Sequence, residues 1–143
     1  MNRVHVVTLG VSDMDRALEF YRDGLGFETS IAEENPPIVF FQSDGATLAL
    51  CPRDGMAKDI DQENPPQGEG FAGITLAYVA REQDEVDRIM ELAERAGGEI
   101  VKTPQRVFWG GYSGYFRDPD GYYWEVMYWE DWKFKDDGSL LIE

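Results

Sequence analysis

The sequence predicts an α+β fold built from two copies of one βαβββ unit. Three observations carry that expectation. Apolar, β-branched runs open each half, at residues 4–11 (VHVVTLGV) and 71–80 (FAGITLAYVA). A helical stretch with an apolar face, ending near a glycine, follows each of them. Each half then ends in strands that turn at an Asp-Gly pair, Asp44-Gly45 in the first and Asp120-Gly121 in the second. Landmarks recurring in the same order make an internal repeat.

VHVVTLGV reads as a buried strand. In SDMDRALEFYRDGLGF, Ser12 is the expected helix cap, Asp13 and Asp15 complement the first turn, and Gly24 stands near the end. Ala17, Leu18 and Tyr21 form its apolar face. PIVFFQSD and ATLALCP are two short strands. Residues 52–70 are rich in Pro, Gly and acids and read as a flexible loop. In the second copy, FAGITLAYVA is a strand. EQDEVDRIMELAERAGG is a helix with Val86, Ile89, Met90 and Leu92 or Ala93 on one side, closed by Gly97. GEIVKTP is a strand, and YSGYFRDPDGYYWEVMYW is a hairpin. The last stretch, EDWKFKDDGSLLIE, reads as a surface extension turning at Asp137-Gly138. The expected organisation is a first module over 1–54, a linker loop over 55–70, a second module over 71–130 and an extension over 131–143.

Composition limits the function. With 28 acids against 13 Lys and Arg the formal net charge is -15. Such a surface repels phosphate backbones and anionic lipid, so neither nucleic acid nor membrane is an expected partner. A lone cysteine, Cys51 at a strand end, makes no internal disulfide and suits a reducing compartment as a small apolar filler. With no signal-like start and no long uncharged apolar run, the expected location is cytoplasmic. A Ser-His-Asp or Cys-His pair is out of reach with one His, His5, far from Cys51. GGYSG lacks the lysine and following helix of a phosphate loop.

GVSDMDRALEFYRDGLGF opening the first copy and YFRDPDGYYWEV closing the second resemble the vicinal oxygen chelate superfamily, which includes glyoxalase I, extradiol dioxygenases, fosfomycin-resistance enzymes and bleomycin-binding proteins. The resemblance spans about residues 4–128 and implies the glyoxalase/bleomycin-resistance fold, two βαβββ modules forming cupped mixed sheets. It also implies a ligand in the cup and a homodimer. Metal-binding members take a His from the first strand and a Glu from the last strand of each module. The closing Glu follows the hairpin glycine at a fixed spacing, which runs from Gly121 to Glu125 and from Gly45 to Ala49. The strand His falls at Val6 in the first module and Ile74 in the second. His5 lies one position out of register, on the opposite face of its strand, and Thr75 is likewise one step off. With Val6, Ala49 and Ile74 at three of four positions, the expectation is no bound metal and no cofactor.

Glu125 sits among aromatics. Alternation places Tyr123 and Met127 on its side and Tyr122, Trp124, Val126 and Tyr128 on the other. A carboxylate held among aromatics has a raised pKa or needs a positive partner, so it serves as a proton shuttle or as an anchor for a cation. Trp109, Tyr112, Tyr115 and Tyr123 supply flat walls for a planar or cationic small molecule. Gly110, Gly111 and Gly114 let the sheet bend or a ligand approach. The expected function is metal-free small-molecule binding. Its alternatives are a lyase or isomerase using Glu125 with an atypical metal site, and a non-catalytic structural module.

Overall fold

The computed structural model describes residues 1–142, in two compact units, Met1–Ala72 and Gly73–Glu143. In the first unit β1 (Val6–Val11) runs parallel to β3 (Thr47–Pro52), which pairs antiparallel with β2 (Val39–Phe40). The remaining strand expected in this copy is reduced to a single bridge, Glu28 to Gln42. The chain between these partners passes through Pro36 and Pro37, which bring no N–H to a ladder.

Helix α1 (Met14–Leu18) is capped by Asp13, whose carboxylate accepts the Arg16 N–H at 3.0 Å. Ser12, the expected cap, instead accepts from the Arg16 guanidinium at 2.8 Å. The helix then widens into a π turn over Glu19–Gly24. Ala17, Leu18, Phe20 and Tyr21 are buried together with Leu9, Val11, Leu48 and Leu50 of the sheet. The segment expected to be a loop begins as a helix, α2 (Arg53–Ile60), none of whose residues is buried. With no apolar stripe it left no periodicity to read, although Arg, Met, Ala and Lys are good helix formers.

The second unit holds the complete repeat. Strand β4 (Thr75–Val79), helix α3 (Gln83–Arg95) and strands β5 (Glu99–Arg106), β6 (Tyr112–Arg117) and β7 (Tyr123–Tyr128) give a mixed sheet in the order β4-β7-β6-β5. Only the β4-β7 pair is parallel. Helix α3 buries Val86, Met90 and Ala93, and its sheet contributes buried Phe116, Trp124 and Val126. The Phe116 and Trp124 rings stack at 6.0 Å. Glu85 anchors the start of α3, accepting the Tyr78 hydroxyl at 2.6 Å and the Arg81 N–H at 2.8 Å. Burial first, then Glu85, pushes the Tyr78 phenol up to about 12.

The register of β5 on β6 shifts twice, between Ile100 and Lys102 and between Lys102 and Gln105. Gly114 sits at this irregularity, where a Cβ would lie 2.9 Å from the Lys102 carbonyl oxygen. Close approach of backbone, rather than of a ligand, is what this glycine permits. In the closing hairpin the Asp118 carboxylate accepts the N–H groups of Asp120 and Tyr122, and Gly121 takes φ +93°. Past the sheet, β8 (Lys133–Phe134) and β9 (Leu140–Leu141) form a small hairpin turning at Gly138, as expected, and the Arg81 guanidinium lies 4.2 Å over the Phe134 ring. Among the described residues no helix is long and apolar enough to cross a membrane.

Candidate functional site

Cross-strand pairing assigns the faces of the second sheet. Glu125 stands between Ala77 of β4 and Tyr115 of β6, and the neighbouring rungs on that face are Val79–Met127–Ser113 and Thr75–Tyr123–Arg117. Residues directly opposite in a ladder share a face. Leu76, Tyr78, Tyr112, Phe116, Trp124, Val126 and Tyr128 take the other face, where α3 packs. The alternation expected around Glu125 therefore matches the observed pairing, with Glu125 on the face away from α3.

The Ser113 hydroxyl, 2 % exposed, donates to Glu125 Oε1 at 2.8 Å. Burial first, then the charge of Glu125 and a hydrogen bond to it, hold the Tyr115 phenol above its ordinary value. Among the described residues no cation pairs with Glu125. One rung away, Arg117 donates to Glu99 and interacts with Tyr123, and Glu99 is the main reason its guanidinium pKa is raised. Sequence reading passed over Ser113 as a small residue between aromatics. Its place two residues before Tyr115, on the same face by alternation, was the available signal.

Two of the expected ligand residues lie elsewhere. Tyr112 is on the α3 face, its hydroxyl donating to Asp87 Oδ1 at 2.7 Å, so it does not join Glu125. Trp109 lies against Gly111, where a Cβ would fall 1.9 Å from its ring, and sits edge-on to Trp129 at 5.8 Å. Gly111 is about 13 Å from Tyr115 at the rise of an extended strand. Tyr115 and Tyr123 do share the face of Glu125.

The metal-ligand positions of the resemblance are also placed by register. In the first unit Val6 pairs Thr47 and Thr8 pairs Ala49, putting Val6 and Ala49 on one face. In the second, Ala77 pairs Glu125 and Thr75 pairs Tyr123. The position matching Val6 is thus Thr75, and Ile74 is corrected to the opposite register. The reason is that Val11 matches buried Ala80, not Val79, so an alignment on valines slips by one residue. Val6, Ala49 and Thr75 do not make a metal set with Glu125, because two lack donors and a neutral hydroxyl is a weak one. Among the described residues no three His, Cys, Asp or Glu gather as a metal group. His5 precedes β1, with its side chain exposed and its carbonyl accepting the Thr47 N–H. Burial, then Asp59, pushes the Cys51 thiol up.

Comparison with known proteins agrees with this architecture. The family model described as Glyoxalase/Bleomycin resistance protein/Dioxygenase superfamily matches residues 3–126. The chain is similar to a solved glyoxalase-related enzyme from Fulvimarina pelagi, with 30% identity, a TM-score of 0.88 and 99% of each chain covered. It is similar to a solved lactoylglutathione lyase from Agrobacterium tumefaciens, with 26% identity and a TM-score of 0.67, covering 94% of this chain and 99% of that one. It is 29% identical over 127 residues to the metallothiol transferase FosB of Shouchella clausii, covering 88% of this chain and 80% of that protein.

Proposed function

The chain belongs to the Glyoxalase/Bleomycin resistance protein/Dioxygenase superfamily, and from that premise we propose that it is a metal-free binder of small planar or cationic molecules, anchored by Glu125. The carrying observation is a half-buried carboxylate on the sheet face away from α3, held by Ser113 and beside Tyr115, with no cationic partner among the described residues. Tyr115 and Tyr123 flank it with flat faces. A desolvated cation over an aromatic ring gains about 2 kcal/mol, and a hydrogen bond to a charged group about 1.5–3 kcal/mol. Burial of some apolar ligand surface would bring the sum to the roughly -8 kcal/mol of micromolar binding. The acidic excess of the chain raises the local concentration of cations.

The test is calorimetric titration with pairs of planar compounds matched except for charge, on wild type, Glu125→Gln and Tyr115→Ala. Cations binding at least tenfold tighter than their neutral partners, with the preference lost in Glu125→Gln, is the expected result. Equal binding of both members of each pair, or of all three proteins, removes the proposal. The reading includes a homodimer, supported by apolar side chains left exposed, such as Ile38 and Phe40 in the first unit and Ile74 and Phe108 in the second. A solution mass of one 16.3 kDa chain would count against it.

One observation favours a second reading, a lyase or isomerase. A phenol kept protonated against a carboxylate is a proton donor beside a proton acceptor, which is the equipment of acid–base catalysis. Turnover that vanishes in both Glu125→Gln and Tyr115→Phe would select it.

A further inference from the structure

Tyr112, turned away from Glu125, lines a different cavity. A pocket of about 400 Å³ is bounded by Gln83, Arg106, Gly110, Tyr112, Tyr128 and Glu130. Its floor is one rung across three strands, since Arg106 pairs with Tyr112 and Tyr112 pairs with Tyr128. Gln83, in the first turn of α3, forms one side, and Glu130, just past β7, another. The size falls in the range of small-molecule sites, about 300–1,000 Å³.

Arg106 and Glu130 bring opposite charges to the rim of this pocket, and both are exposed. Among the described residues neither the Arg106 guanidinium nor the Glu130 carboxylate has an ion-pair partner, although both line the same cavity. The Tyr128 hydroxyl and the Gln83 amide are likewise unpartnered among the described residues. The Tyr112 hydroxyl is already committed to Asp87. That bond first, then burial and the charges of Asp87 and Asp84, raise its phenol. The surrounding field is therefore negative, and an anion alone would be repelled. A ligand that brings a carboxylate to Arg106 must also bring a cation for Glu130.

We propose that this pocket is a second ligand site, which binds a zwitterion of the free α-amino acid class, its carboxylate on Arg106 and its ammonium on Glu130. The rings of Tyr112 and Tyr128 face the amino acid side chain, and the Tyr128 hydroxyl and Gln83 amide supply further hydrogen bonds to its polar end.

The experiment is a two-dimensional amide NMR titration of the full chain with each of the twenty L-amino acids at millimolar concentration. The same compounds follow as N-acetylated and as carboxyl-amidated forms. The proteins are wild type, Arg106→Gln, Glu130→Gln and, as a control on the other face, Glu125→Gln. At least one free amino acid is expected to shift the amides of Gln83 and Gly110, and either blocked form to act on these two amides about tenfold or more weakly. Arg106→Gln should weaken the free amino acid about as much, while leaving its already weak amidated form unchanged. Glu125→Gln should bind as wild type does. Arg106 and Glu130 are exposed, so neither substitution disturbs the core, and the unchanged amides elsewhere verify the fold. The proposal is overturned if no amino acid shifts these amides, if blocked and free forms bind alike, or if binding is lost in Glu125→Gln and kept in Arg106→Gln.

Discussion

The same rung of the repeat reads Thr8–Ala49–Phe40 in the first unit and Ala77–Glu125–Tyr115 in the second. On the helix-covered side the two copies stay alike in kind. Leu48 and Leu50 match Trp124 and Val126, and all four are buried. On the opposite side they part, one copy placing a small apolar residue beside a phenyl ring and the other a carboxylate beside a phenol. Packing against a helix constrains size and apolarity in both copies. On that face the first copy meets the start of α2, where a Cβ on Gly10 would lie 3.2 Å from the Arg53 Cα, and the second copy carries a carboxylate and a phenol.

The largest expected effect tests the shared half of that comparison. Trp124→Ala removes the ring stacked on Phe116 and should cost about 3–5 kcal/mol, read from the denaturant midpoint. A cost under about 1 kcal/mol would mean the helix-covered face is not the core described above.

Moving the carboxylate to the first copy comes next. Ala49 is 0 % exposed, and Ala49→Glu puts a charge there with no cation on the rung Thr8–Ala49–Phe40 to pair it. The loss should be on the order of 3 kcal/mol at neutral pH; the same burial raises the folded carboxyl's pKa, so the loss should shrink as pH falls through that raised value and be gone below the unfolded value of about 4.3. A variant as stable as wild type would show the two copies to be interchangeable at this position.

A smaller effect belongs to Ser113→Ala, which deletes the hydroxyl held by Glu125 and should cost about 1 kcal/mol. The loss should nearly vanish when Ser113→Ala is made in a Glu125→Ala background, where the acceptor is gone, if no other group depends on that hydroxyl.

The smallest effect is one of titration. Glu125 accounts for two of the three causes that raise the Tyr115 phenol, and burial, the largest, stays when it is replaced. In Glu125→Gln the tyrosinate absorbance step of Tyr115 should move down toward the ordinary value of about 10 without reaching it. A raised phenol pKa means the folded state holds its proton longer than the unfolded one. Its stability contribution is complete below about pH 10 and is lost as pH rises through the folded value. The alkaline loss of stability should therefore be smaller in Glu125→Gln than in wild type.

Most of the fold was legible because its signals are local. The Asp-Gly turns, the apolar runs and Gly97 at φ +108° closing α3 each announce themselves within a few residues. Helix α2 did not, because a helix with no buried residue carries no periodic stripe. The shared facing of Glu125 and Tyr123 followed from alternation along one strand, whereas placing Tyr115 beside them takes the pairing of β6 with β7. Tyr112 and Trp109 were misplaced for two different reasons. Tyr112 is one residue from Ser113, and a single step changes its face, a distinction lost when aromatics are grouped by nearness. Trp109 belongs to the β5–β6 turn, where alternation gives no guidance. The slip from Thr75 to Ile74 arose from matching valines, when only pairing partners fix a register. The pocket around Arg106 and Glu130 could not be read at all, since it needs the pairing of three strands.

The aromatic cluster at the end of β6 has a spectroscopic consequence. All four tryptophans of the chain, Trp109, Trp124, Trp129 and Trp132, lie in the second unit, and the first has none. Indole emission therefore reports the unfolding of one half of the molecule, while far-ultraviolet circular dichroism sums both. If the repeats unfold as one cooperative body the two curves coincide, and if they unfold separately the dichroism shows a transition to which the fluorescence is blind.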